Sequence, residues 1–200
     1  MLSVLNIHWV CKNSLIMGSQ RVSITFVTGN PKKAEQLSYH LDTPILHQKL
    51  DLPEIQSLDL GEIVERKARE AYRLVQSPVL VEDTSLKFQA LGQLPGPLIK
   101  WFLKELGNEG LCKLLNGYSE RTALAEVKFA LFDGKTMRIF DGQMPGVIAP
   151  QPRGEDGFGW DPIFIPQGNT KTWGEMSPEE QSATSMRRIA LKKLEAHLRD

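Results

Sequence analysis

Asp133-Gly134 separates two strand-like runs, Thr122 to Phe132 and Thr136 to Ile148. Asp-Gly between such runs is a hairpin signal, because the turn needs positive φ and glycine adopts it without a steric clash. An antiparallel pair is therefore built into the second half of the chain. The first half alternates strand and helix patterns, which calls for parallel strands joined by crossover helices. A chain that carries both is an α/β protein with a mixed sheet.

Arg21 to Thr28 alternates, with Val22, Ile24 and Phe26 on one side and Ser23 and Thr25 on the other, as in a half-buried strand. Gly29-Asn30-Pro31 ends it and opens a helix, with Asn30 as N-cap, Pro31 in the first position and Ala34, Leu37 and Leu41 as apolar stripe. Glu62 to Val75 repeats the helical spacing through Ile63, Val64, Ala68, Ala71 and Val75. Pro78 to Val81 reads as a short buried strand that ends at Glu82-Asp83-Thr84. Leu91 to Pro97 is a loop; Ile99 to Leu106 and Glu109 to Leu115 are helical, parted at Gly107. Ala149 to Pro162 is rich in Gly and Pro and reads as a loop. Ser177, Pro178 and Glu180 form a capping box that starts one last helix, with Ala183, Met186, Ala190, Leu194 and Leu198 as its stripe.

The charge balance is neutral, with 24 basic and 24 acidic side chains in 200 residues. No global field attracts nucleic acid or an acidic membrane, so neither is an expected partner, and any phosphate must be held by local charge. Cys11 and Cys112 form no disulfide framework, which suits a reducing compartment and a cytoplasmic protein. No apolar run is long enough to span a bilayer. Residues 1–20 contain no acid and no Arg, and are expected to form an extension outside a single domain at 21–200. An organellar transit peptide is the alternative reading of that segment, and Met17 is a second candidate start.

Five groups could carry chemistry. Thr28-Gly29-Asn30-Pro31-Lys32-Lys33 places a helix N-terminus after a strand, where free N–H groups face an anion. Two lysines in a first helical turn oppose the dipole, a conflict an anionic ligand would remove. A plain strand–helix turn is the equal alternative. Glu82-Asp83-Thr84 offers two carboxylates to a hard cation such as Mg²⁺, or else solvated turn acids. Glu54, stiffened by Pro53, is a further carboxylate or a surface acid. Phe158-Gly159-Trp160-Asp161-Pro162 could stack and read a base, or anchor a turn in the core. Ser185-Met186-Arg187-Arg188 could aim a guanidinium at a base carbonyl, or form a solvated face. The four His have no zinc spacing.

In their order these motifs resemble the inosine triphosphate pyrophosphatase family. The similarity rests on ITFVTGNPKK, LDLPEIQ, VLVEDTSLKF, LGQLPGPLIKWF, GFGWDPIF and the helix beginning SPEE, from about Arg21 to Leu198. The resemblance implies a long mixed β-sheet flanked by helices, in two lobes with a nucleotide cleft between them. It also implies a homodimer and Mg²⁺, with Mn²⁺ as the alternative ion. Thr28, Gly29, Asn30, Lys32 and Lys33 would hold the triphosphate, with Lys67 and Lys100 adding charge and Thr84 beside them. Glu54 and Asp83 would bind the metal, and Asp83, with Glu82 close by, would orient or deprotonate the attacking water. Phe158 would stack on the base, Gly159, Trp160 and Asp161 would line its pocket, and Arg187 would donate to the 6-keto oxygen. The implied reaction is Mg²⁺-dependent cleavage of ITP, dITP and XTP to monophosphate and pyrophosphate.

Two positions depart from the family pattern. Where the family has Ser-His-Arg this chain has Ser185-Met186-Arg187, and Gln181 stands where Lys is usual. A thioether has no donor for a keto oxygen. Both departures fall on the base-reading side, so the same chemistry on another modified or standard nucleotide is the second reading. A nucleotide-binding protein without turnover is the third.

Overall fold

The structure, a computed structural model, describes residues 15–17, 20–30, 33–34, 37, 45–155, 157 and 159–199. Pro31, Lys32, Leu41 and Phe158, each given a role above, lie outside the described residues, as does most of the segment 1–20. Strands β1 (Leu15–Met17) and β2 (Gln20–Val22) pair antiparallel as a separate two-stranded sheet. The main sheet has seven strands: β3 (Thr25–Val27), β4 (Leu46–Gln48), β5 (Val79–Phe88), β6 (Pro95–Gly96), β7 (Thr122–Phe132), β8 (Met137–Ile148) and β9 (Phe164–Pro166). Its order is β4-β3-β5-β7-β8-β9, with β6 on the free side of β5.

The run from Arg21 to Thr28 is two strands, not one half-buried strand. Ile24 to Thr28 are all buried, because β3 lies between two parallel neighbours, with Thr25 opposite both Leu46 and Val79. Strands in that position are covered on both faces and lose alternation. The hairpin β7–β8 forms as the Asp-Gly signal implies. Its loop runs from Asp133 to Thr136, where Asp133 Oδ1 accepts from the backbone N of Lys135 and Thr136 at 2.8 and 2.7 Å.

β5 is longer than the sequence suggests and continues through Glu82-Asp83-Thr84 to Phe88, zipped to β7 along its whole length. The opposite edge is different. β3 pairs with β5 as far as Leu80, and β6 begins only at Leu86. The notch between them leaves that edge of β5 without a strand partner at Glu82-Asp83-Thr84.

Helices α1 (Leu60–Val75), α2 (Ile99–Lys113), α3 (Pro178–Ala183) and α4 (Met186–Arg199) follow. Lys33, Ala34 and Leu37 are also helical, as expected after Asn30. Asp59 caps α1 through Gly61 N at 2.7 Å. Gly107 breaks α2 with φ 64°, matching the two-part reading of that segment. The capping box of α3 forms: Ser177 Oγ accepts from Glu180 N at 3.3 Å, and Glu180 Oε2 accepts from Ser177 N at 2.9 Å. The last helix is not continuous, however. It stops at Ala183, which is exposed, and restarts at Met186, where Ser185 Oγ accepts from Arg188 N at 3.3 Å. A Ser with that bond competes with helix continuation and serves as a second N-cap.

The sheet has a core on each face. α1 buries Val64, Ala68 and Ala71 against Val79, Val81, Ala130 and Phe132. The other face gathers Leu80, Leu86, Phe88, Phe129 and Phe164 with Ala190 and Leu194 of α4. Among the described residues no helix is long and apolar enough to cross a membrane.

Candidate functional site

Successive side chains of a strand leave opposite faces. On β5, Val79 and Val81 enter the α1 core and Leu80 and Leu86 the α4 core. Glu82 therefore faces α4, and Asp83 faces α1. The adjacent acids do not form one carboxylate pair; they serve two clusters, one on each face, at the notch in the sheet.

On the α1 face, Lys67 donates from Nζ to Glu54 Oε1 at 3.0 Å and to Asp83 Oδ2 at 3.3 Å. The loop carrying Glu54 and the strand carrying Asp83 thus meet at one ammonium. Burial works to lower the Lys67 pKa, but Asp83 and Glu54 together hold it above the usual lysine value. Asp83 Oδ1 also accepts from Thr84 N at 2.8 Å, which fixes its carboxylate plane. Lys100 Nζ stands 4.0 Å from Glu54 Oε2, is 71% exposed and lies over the Trp101 ring. It is the solvent-side cation of the set.

On the α4 face, Glu82 is 2% exposed. Its Oε1 lies 2.8 Å from Lys33 Nζ and its Oε2 contacts Arg187 Nη1. Phe129 is opposite Glu82 on β7, and the Arg187 guanidinium sits over that ring, 6.0 Å from its centre. Burial lowers Lys33 to about 8; the Asp83 charge raises it, and Arg187 and Lys67 lower it further. Burial alone lowers Arg187 to about 10. Lys33 therefore feels the Asp83 charge as well as its own partner Glu82.

The strand–loop–helix turn is tied down locally. Thr28 Oγ1 accepts from Asn30 N at 3.1 Å, Thr28 O accepts from His47 Nε2 at 3.2 Å, and Lys33 N donates to Asn30 O at 3.2 Å. Gly29 is exposed. These residues bring Lys33 to the notch.

The third group surrounds Trp173. Trp160 is 9% exposed and packs against Trp173 at 5.5 Å and edge-on to Phe164 at 5.8 Å. Its ring packs in the larger core. Gly159 O accepts from Asn108 Nδ2 at 3.0 Å, and Asp161 opens a short 3-10 turn. Gln181 Nε2 donates to Trp173 O at 2.5 Å, and Trp173 Nε1 donates to Thr184 Oγ1 at 2.8 Å. Met186 is 6% exposed and belongs to the larger core.

Two residues of this region were not singled out from the sequence. Phe129 has no signal until strand register is known. Gly142 does carry one, since glycine inside a strand marks close backbone approach. A Cβ at Gly142 would overlap the Met186 carbonyl and press on Ala190 N. That contact sets the first turn of α4 directly on the sheet and places Arg187 over Phe129.

Among the described residues no group of three or more His, Cys, Asp or Glu could hold a metal by itself. Mg²⁺ does not require one, because it binds through one or two carboxylates plus substrate phosphates. The donors present suit it: two carboxylates already converge on one positive charge.

A sequence model of the Ham1 family matches residues 24–197. The chain is 44% identical to inosine triphosphate pyrophosphatase 2 of Trypanosoma cruzi over 189 residues, covering 92% of this chain and 96% of that protein. Its fold is similar to a HAM1 protein from Coxiella burnetii, with a TM-score of 0.79 at 27% identity over 89% of this chain and 98% of that one. It is also similar to a nucleoside-triphosphatase / dITP/XTP pyrophosphatase from Mycobacterium abscessus, with a TM-score of 0.69 at 30% identity over 86% and 98% of the two chains.

Proposed function

The chain belongs to the Ham1 family, and on that premise we propose that it hydrolyses inosine, deoxyinosine and xanthosine triphosphates to the monophosphate and pyrophosphate. The observation that carries the reading is the Lys67 ammonium held between Glu54 and Asp83 at 3.0 and 3.3 Å, with Lys33 at the same notch. Acids and lysines alternating around one opening suit a substrate that arrives as a polyanion with a bound cation.

Water attacks the α-phosphorus, the α–β anhydride bond breaks, and pyrophosphate departs with the electron pair. Glu54 and Asp83 are the residues that would hold Mg²⁺, which would supply charge neutralisation on the phosphates. Lys67 and Lys33 add fixed positive charge where the leaving group develops its own, and Lys100 reaches in from solvent. Asp83, its plane fixed by Thr84 N, orients the attacking water and takes its proton.

Base selection is assigned to Arg187. A buried guanidinium aimed at a 6-keto oxygen is satisfied by hypoxanthine or xanthine. It faces the amino group of adenine unpaired, and an unpaired buried donor discriminates strongly. The family relationship is also compatible with a homodimer of one bilobed domain in the cytoplasm, and light scattering on the purified chain would test the dimer. The function is tested by following pyrophosphate release from ITP and ATP with and without Mg²⁺. Release from ITP that depends on the ion supports it, and orthophosphate as the product overturns it.

A further inference from the structure

Among the described residues, Glu82 is the carboxylate that contacts both Lys33 and Arg187. Its neighbour Asp83 faces the other side of the sheet, toward Lys67 and Glu54. Its own oxygens have Lys33 and Arg187 beside them and no other partner among the described residues. Lys33 belongs to the phosphate side of the proposed site and Arg187 to the base side. At 2% exposure Glu82 is withdrawn from solvent, unlike Asp83, which is partly exposed.

We propose that Glu82 is a positioning residue that couples base recognition to phosphate binding by holding Lys33 and Arg187 on one buried carboxylate. The inference rests on the function proposed above. It also moves Glu82 out of the catalytic pair implied by the family resemblance and leaves Asp83 there alone.

Burial gives the arrangement its force. Two cations packed together in a poorly solvated site repel unless a charge lies between them, and a buried carboxylate is tolerated only when paired. Each of the three groups therefore fixes the other two. The Phe129 ring under Arg187 and the glycine contact under α4 set where the guanidinium sits, while its remaining N–H groups are left for a base. A base that engages Arg187 changes what Glu82 offers Lys33, and a phosphate on Lys33 changes what Glu82 offers Arg187.

Glu82→Gln removes the charge and keeps the shape. Four quantities are read: KM and kcat for ITP, the ITP to ATP ratio of kcat/KM, the inhibition constant of inorganic pyrophosphate, and the Mg²⁺ concentration for half-activation. The expected result is a KM raised about tenfold or more, the size of one hydrogen bond to a charged group. Pyrophosphate inhibition weakens as well, which reports the Lys33 end, and the ITP to ATP ratio falls, which reports the Arg187 end. Half-activation by Mg²⁺ stays where it was.

A collapse of kcat with KM unchanged, or a shifted Mg²⁺ requirement, would place Glu82 in the chemistry and overturn the proposal. An effect at one end only would overturn the coupling. Should Glu82→Gln fail to fold by thermal melting, Glu82→Asp is read instead. Its carboxylate is one methylene shorter and cannot meet both cations, so both ends are expected to weaken, and native values at either end contradict the proposal. If the native chain releases pyrophosphate from no nucleotide, the proposed function has failed on its own. The coupling is then read by calorimetry with inorganic tripolyphosphate and with inosine monophosphate. Glu82→Gln must weaken both, and a native chain that binds neither overturns the coupling as well.

Discussion

Glu82 and Asp83 are adjacent on β5 and face opposite sides of the sheet, Glu82 toward Arg187 and Lys33, Asp83 toward Lys67 and Glu54. A dipeptide that looks like one metal site in the sequence thus feeds two charge clusters. They meet at the notch where β3 has ended and β6 has not begun. Each cluster answers to a different substitution.

Lys67→Met removes the ammonium between Glu54 and Asp83. Two carboxylates are left facing each other without a counter-charge, so divalent cations are expected to bind the free protein more tightly by calorimetry. Turnover moves the other way, with kcat for ITP down roughly a hundredfold for the loss of one fixed charge at the leaving group. Unchanged turnover would show that Lys67 only bridges the acids.

Lys33 gives the expected pH dependence. Its pKa is about 8, below the 10.5 of a free lysine, because burial disfavours the ammonium. Between those values the unfolded chain binds more protons than the folded one, so this group's contribution to stability rises with pH across the window. Activity falls over the same range, since a neutral amine holds phosphate poorly. The profile of kcat/KM for ITP is expected to break downward near pH 8, and Lys33→Arg is expected to remove the break. A profile flat to pH 9.5 in the native enzyme would contradict this.

Gly142→Ala tests the seat of α4. The new methyl meets backbone, so the helix must lift from the sheet, at about 1–3 kcal/mol, typical of overpacking. The expected signature is a lowered melting temperature together with a reduced ITP to ATP ratio, because Arg187 rides on the same turn. A lower melting temperature with an unchanged ratio would separate the helix seat from base selection.

Met186→His examines the departure from the family's Ser-His-Arg pattern. The added ring can donate toward a keto oxygen beside Arg187, so the ITP to ATP ratio is expected to rise. Met186 is 6% exposed. Placing an imidazole there costs about 1–3 kcal/mol of stability if it finds no partner. A ratio that does not move assigns discrimination to Arg187 without help from this position.

Much of this was legible from local chemistry. The Asp133-Gly134 hairpin, the Ser177–Glu180 capping box, the Gly107 break and the α1 stripe all follow from short-range signals, and all are present. What depends on neighbours far along the chain was not. The alternation of Arg21 to Thr28 misleads because β3 lies between parallel strands that bury both of its faces. The extent of β5 through two acids is set by β7 and by the cations that neutralise those acids. The break at Thr184-Ser185 is hidden by an apolar stripe that runs through it. The motifs identify the charged residues at the notch, but only strand register shows that Glu82 and Asp83 part company.

The most direct measurement is pyrophosphate release in the presence of Mg²⁺ from a panel of ITP, dITP, XTP, ATP, GTP and dUTP. The account expects stoichiometric monophosphate and pyrophosphate, with ITP, dITP and XTP far ahead of ATP and no turnover once the ion is chelated. Equal turnover of ATP, or a wholly inert chain, would contradict it.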